Sequence, residues 1–262
     1  MDGTLHAPLQ APTHGSAAAF YETRRGTTAA TILRERMAAF WPDLTGMAVL
    51  GLGYAEPYLT LWRETAYRCI SASPPARAPV PTGHACLVAE DRLPFPDLSF
   101  DRILLIHGVD EAVDPRRLLR EVWRVLKDDG RILVAAPNRL GMWAHVEATP
   151  FGQGHPYSGQ QITRLLAAGM FRAERRDAAL FVPPVNIGFL LRTWPVWEQA
   201  GHALARDLAG VILMEAVKDT YAAIPAASVA VRRQVIMPEE VAPAAAARKE
   251  AVPFWKKEPK NF

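Results

Sequence analysis

Apolar residues return along this chain in two rhythms. Between Ala19 and Trp41, Tyr21, Ala29, Ile32, Leu33, Met37 and Phe40 recur near helical spacing, with arginines and Glu35 between them. That predicts an amphipathic helix, or two short ones, ended at Trp41-Pro42-Asp43. Short apolar runs follow. Met47–Leu52, Arg68–Ala72, Ala85–Val88, Phe100–His107 and Arg131–Ala136 each read as a strand. Tyr58–Arg63 reads as a short helix with Pro57 in its first turn. Leu118, Leu119, Val122, Val125 and Leu126 form one face of a helix over Arg116–Leu126, with Gly130 expected as its left-handed cap. Helices over Gly159–Ala168 and Trp197–Leu208, and strands over 174–182 and Val211–Val217, complete the series.

Strands alternating with helices predict parallel β/α units and a sheet covered on both faces. The chain of 262 residues suggests one large domain with tails, or one domain with a small annex. Residues 1–18 read as a flexible N-terminal tail, 19–236 as the domain, and 237–262 as a disordered C-terminal tail rich in Ala, Pro, Glu and Lys. Irregular stretches interrupt the domain at Gly141–Ser158 and from Pro183.

Composition changes this picture little. The net charge of +3 permits a nucleic-acid partner without arguing for one. Cys69 and Cys86 read as buried free thiols, and no His/Cys spacing suggests a metal. No apolar run approaches the ~20 residues of a membrane span, and no signal peptide is visible. A cytoplasmic protein with no membrane partner is expected. Arg117, Arg120 and Arg124 form a basic stripe that could meet phosphates or simply face solvent.

The run from Ala89 through Leu93-Pro-Phe-Pro-Asp-Leu-Ser-Phe-Asp to His107, continued by Leu118-Leu-Arg-Glu-Val-Trp-Arg-Val-Leu-Lys-Asp-Asp-Gly130, resembles the class I S-adenosylmethionine (SAM)-dependent methyltransferases, in particular the type 11 group. The resemblance covers roughly Phe20–Lys218. It implies an α/β fold: a doubly wound, mostly parallel, seven-stranded Rossmann-like sheet with loop insertions after strands 5 and 6. It implies SAM as cofactor, held by the loop after the first strand and by residues ending the second and third strands. Those positions are Gly51, Gly53, Tyr54 and Ala55, then Ser71, then Glu90 or Asp91.

Several positions depart from the family's pattern. Gly51 stands where the family carries an acid, Ala55 and Pro57 where it carries glycines, and Ser71 where an acid would bind ribose. Glu56 could repel the methionyl carboxylate of SAM or pair with its ammonium. His107, in the loop facing the methyl group and followed by Asp110 and Glu111, is the candidate general base and a cofactor neighbour; otherwise it caps its strand or lines the pocket. Trp143, His155 and Tyr157 would form a lid over substrate, or belong to a packed loop. Tyr21, Arg24 and Arg25 could close over the cofactor or simply pack.

The expected function is SAM-dependent methyl transfer to a small molecule. The alternative is a non-catalytic or partner-dependent methyltransferase-like protein acting through a protein partner or a homo-oligomer. An RNA methyltransferase is a weaker third reading, because no RNA-binding module is visible.

Overall fold

The computed structural model describes residues 17–74 and 85–219. They form a seven-stranded sheet of order β3-β2-β1-β4-β5-β7-β6. The strands are β1 (Ala48–Gly53), β2 (Arg68–Ser73), β3 (Ala85–Leu87), β4 (Phe100–Ile106), β5 (Leu126–Pro137), β6 (Phe171–Ala179) and β7 (Val211–Lys218). The first five run parallel, and β7 is antiparallel to both neighbours. The expectation of parallel units therefore holds except at β7.

Successive residues of a strand face opposite sides of a sheet. Leu104 and Ile106 of β4 accordingly enter one core, with α1 (Ala17–Glu22) and α2 (Arg24–Phe40). Ile103 and Leu105 enter the other, with α4 (Pro115–Val125) and α5 (Gly159–Ala168). Burial on both faces explains why β1 and β4 read as near-continuous apolar runs.

The N-terminal amphipathic stretch is two helices. Thr23 separates them, its hydroxyl accepting from Gly26 N–H as the cap of α2. Helix α1 begins at Ala17, inside the segment expected to be a tail. The rest of that tail, the Pro-rich 75–84 and everything beyond 219 lie outside the described residues. Helix α4 starts as expected, with Asp114 accepting from the Arg116 and Arg117 amides and Pro115 in the first turn.

Its end corrects the expectation at Gly130. Leu126 already has extended geometry, and β5 runs from Leu126 through Gly130 without a left-handed residue. Glycine is needed at 130 for closeness instead: a Cβ there would stand 2.6 Å from Leu126 Cγ. The helix after β1, α3 (Glu56–Leu59), is shorter than expected. Bonds of i to i+3 type carry the chain on, and the Trp62 indole N–H is tied to the Trp41 carbonyl. Strand β6 begins three residues early, and the insert after it holds α6 (Gly188–Arg192) and α7 (Trp194–Leu204). Cys69 is buried, Cys86 is half-buried, and both thiols are free. No helix among the described residues is long and apolar enough to cross a membrane.

Candidate active site

Strand order reverses between β1 and β4, and in open α/β sheets ligands bind beyond the carboxyl ends of such strands. There Gly53 adopts φ +80°, and a Cβ on it would lie 2.2 Å from the Ile106 carbonyl oxygen. Only glycine fits, and the Tyr54 amide then donates to Ile106 O at 2.7 Å. The first loop is thus locked to the end of β4. Gly51 lies deeper. A Cβ there would meet Ala55 Cβ at 2.6 Å and Leu59 Cδ1 at 2.8 Å. The volume an acid would need at this position is filled by Ala55 and by α3.

Ser71 sits opposite Gly51 inside β2, buried, its hydroxyl without a partner. Ser73, two residues on, ends the strand and donates to the Gly53 carbonyl. Ser73 rather than Ser71 therefore meets the glycine loop. The signal was available in the strand's alternation, had β2 been read one residue longer.

A narrow apolar slot opens among Leu52, Gly53, Ala72, Val88, Leu93 and Glu90, with a free volume of about 10 Å³, room for about one water. The Glu90 carboxylate accepts from the Val113 amide. Asp91 stands outside the slot, exposed, 3.9 Å from Arg117. Glu56 is paired with Arg63 at 2.8 Å, which gives its charge a partner within the protein.

His107 follows β4 with φ +50°, a left-handed conformation uncommon away from glycine and concentrated at functional sites. Its ring is buried. Nε2 lies 2.9 Å from the Tyr21 hydroxyl, which accepts from Tyr58 at 2.8 Å, and Nδ1 lies 3.4 Å from Asp110 Oδ2. Burial, then the neighbouring Tyr58, pushes the Tyr21 phenol well above its ordinary range; burial does the same to Tyr58. Both phenols remain protonated at neutral pH. Tyr21 also stacks on Tyr54 at 5.1 Å. Of the N-terminal residues, Tyr21 packs into the site, while Arg25 donates to the Pro184 carbonyl.

The segment after β5 is a packed loop. Trp143 is buried, edge-on to Phe20 and Phe151, and donates to the Val182 carbonyl. It anchors the loop and does not face an opening. Tyr157 continues the end of β5 through Pro137 O and donates from its hydroxyl to Val109 O. His155 alone of the three expected lid residues lines a cleft, of about 320 Å³, shared with Asp110, Glu111 and Gln153. Among the described residues, His107, Asp110 and Glu111 bring one ligand atom each to within 4.8 Å of one another, a grouping that spacing alone did not suggest. Arg124 of the basic stripe is committed to Glu121, Asp97 and the carbonyls of Leu93 and Phe95. Arg117 pairs with Asp114.

Residues 46–134 match the family model described as a methyltransferase domain. An uncharacterized Escherichia coli protein, YafS, is 38% identical over 72 residues, 27% of this chain and 30% of its own. A ubiquinone/menaquinone biosynthesis C-methyltransferase of Pseudoalteromonas translucida is 46% identical over 44 residues, 17% of this chain and 18% of its own. The chain therefore spans less than a third of the length of either relative.

Among solved structures, a SAM-dependent methyltransferase of Thermotoga maritima superposes with TM-score 0.54 at 16% identity, covering 77% of this chain and 94% of that one. A chain from a Haloferax volcanii complex of a methyltransferase activator with a methyltransferase superposes with TM-score 0.55 at 20% identity, covering 79% and 99%. At such identities the likeness is one of fold. Residues 46–134 thus resemble a methyltransferase domain, and the sheet around them has the fold seen in these solved methyltransferases.

Proposed function

We propose that this chain is a SAM-dependent methyltransferase acting on a small molecule. The observation that carries the reading is the apolar slot at the β1/β4 switch, with the Glu90 carboxylate on its wall. A flat purine suits apolar walls, and a carboxylate suits its amino group. The Gly53 loop, held against the end of β4 by a close backbone contact, borders the slot. The chemistry of the slot residues suits the purine end of SAM, but at about 10 Å³ the slot must widen to admit the ring. At the amino-acid end, Tyr21, Tyr54 and Tyr58 pack together, and opening requires α1 to give way.

Bound SAM supplies an electrophilic methyl group. The chain's own task is to orient the acceptor and, where needed, to take its proton. His107 can accept a proton at Nε2 once the Tyr21 hydroxyl releases it, with Asp110 beside Nδ1 to stabilise the charged ring. Calorimetry with S-adenosylhomocysteine tests the cofactor reading. Saturable heat, weakened about 5–10-fold in Glu90→Gln by loss of a charge-assisted bond, is expected. Absence of heat at millimolar ligand would overturn it.

The second reading, a partner-dependent protein, is favoured by the narrowness of the slot and the aromatic closure beside it. A relative of the same fold is found with an activator protein, which is compatible with this. A monodisperse monomer that binds S-adenosylhomocysteine unaided and retains no protein from lysate would count against it.

A further inference from the structure

We propose that the turn following β4 holds a divalent metal ion, bound by His107 Nδ1 and the carboxylates of Asp110 and Glu111. The three residues sit at i, i+3 and i+4 in one tight turn. The left-handed backbone at His107 starts that turn. Their ligand atoms lie within 4.8 Å of one another. Bonds of about 2.0–2.4 Å to nitrogen and oxygen need ligand atoms roughly 3–4 Å apart, a spacing that a small rotation of the carboxylates supplies.

Asp110 supplies the independent observation. It is 1% exposed, yet Oδ1 has no hydrogen-bond partner. Its other oxygen meets only the His107 ring, at 3.4 Å, well beyond the ~2.7–2.9 Å of a good charge-assisted bond. Among the described residues no lysine or arginine is ion-paired with it. A buried carboxylate in this condition is costly to keep unless a cation completes it. Asp110 and Glu111 also line the cleft of about 320 Å³, so the group lies against open space on the Glu111 side.

The far side of the imidazole is already arranged for this role. Metal-bound histidines are oriented by a partner on their second nitrogen. Nε2 has one in the Tyr21 hydroxyl, backed by Tyr58. With Nδ1 given to the metal, the hydroxyl chain runs in the reverse sense: Nε2–H donates to Tyr21 and Tyr21 to Tyr58, so His107 takes up a substrate proton only in the metal-free state. One imidazole and two carboxylates, with no thiolate, select a hard or borderline ion such as Mn²⁺, Mg²⁺, Fe²⁺ or Zn²⁺.

The site stands on side-chain positions and does not depend on SAM. The test uses the full chain, stripped with chelator and titrated with Mn²⁺ under electron paramagnetic resonance. One Mn²⁺ per chain is expected, with a ¹⁴N coupling from the His107 ring. Asp110→Asn and Glu111→Gln should each weaken binding at least ~10-fold. Glu174→Gln on β6 should leave it unchanged. Should Asp110→Asn fail to fold, Glu111→Gln carries the test, since Glu111 is only half-buried. The absence of a saturable Mn²⁺ site, confirmed by calorimetry with Zn²⁺, overturns the proposal. So does equal affinity in wild type and both carboxylate variants. S-adenosylhomocysteine binding, measured in chelator on the same samples, keeps failure of the metal site distinct from failure of the cofactor reading.

Discussion

The stretch Phe100–Pro137 and the stretch Ala48–Ser73 cross the same sheet, but their side chains do different work. In the first, β4, α4 and β5 follow the family's pattern, and the side chains build structure. Asp114 caps the helix, Arg124 ties it to the preceding loop, and Leu119 and Val122 fill the core. In the second, the positions that the resemblance assigns to the cofactor hold the chain's own groups. Leu59 and Ala55 fill the space beside Gly51, Glu56 pairs with Arg63, and Ser73 donates to the Gly53 carbonyl. In the second stretch, then, side chains close on one another around the first loop, whereas in the first they hold helix and sheet together.

The strongest way to break this contrast is to restore the family acid. Gly51→Asp places a Cβ against Ala55 and Leu59 and a carboxylate in an apolar core. Denaturant unfolding should show a loss of about 4 kcal/mol, with no gain in S-adenosylhomocysteine affinity. A stable variant that binds more tightly would mean the loop is as conventional as the scaffold.

Next comes a matched pair of fully buried leucines, Leu119→Ala and Leu59→Ala. Each should lose about 3 kcal/mol. Only Leu59→Ala, which opens space beside Gly51, should alter S-adenosylhomocysteine affinity, by tightening it. Equal effects of both changes on affinity would erase the distinction between the regions.

Tyr21→Phe removes the hydroxyl shared by His107 and Tyr58. Thermal unfolding should report a loss of about 2 kcal/mol, because two buried polar groups lose their partner. The smallest effect belongs to the scaffold's surface. Hydrogen bonds from Arg124, helped by the Leu93 amide and opposed by burial, hold the Glu121 carboxyl below its ordinary value of 4.5. A depressed carboxyl stabilises the fold above its unfolded pKa, and that contribution is lost as pH falls through the folded one. Glu121→Gln should thus cost about 1 kcal/mol at pH 7, and the gap should close below pH 4.5. A gap that persists at low pH would assign the effect to packing.

Much of the fold was legible because both faces of the sheet are covered. Continuous apolar runs marked β1 and β4, and the 3.6-residue pattern marked α4 and α5. Gly130 misled because a glycine after a helix ordinarily signals a cap, whereas here it admits Leu126. The site was legible only in part. His107 stood out by its place after β4, but nothing local showed that Tyr21 would reach it. The metal-like grouping was hidden too, since no cysteine or paired histidine flags an His-x-x-Asp-Glu turn. Trp143 could belong to a lid or to a packed loop, and nothing local in its irregular stretch decided between them. Its indole is consumed by Val182 and by the close approach of Gly210.

The bond between Tyr21 and His107 also bears on how the molecule is made. The two residues are 86 positions apart. Helix α1 emerges early in synthesis, but its phenol has no imidazole to meet until β1, β2, β3 and β4 have been produced. Closing so long a loop adds little free energy beyond a shorter one, yet contacts this distant in sequence form late. Helix α1 therefore cannot complete its packing until β4 has been produced, and the ends of β1 and β4 are closed by the part of the chain made first.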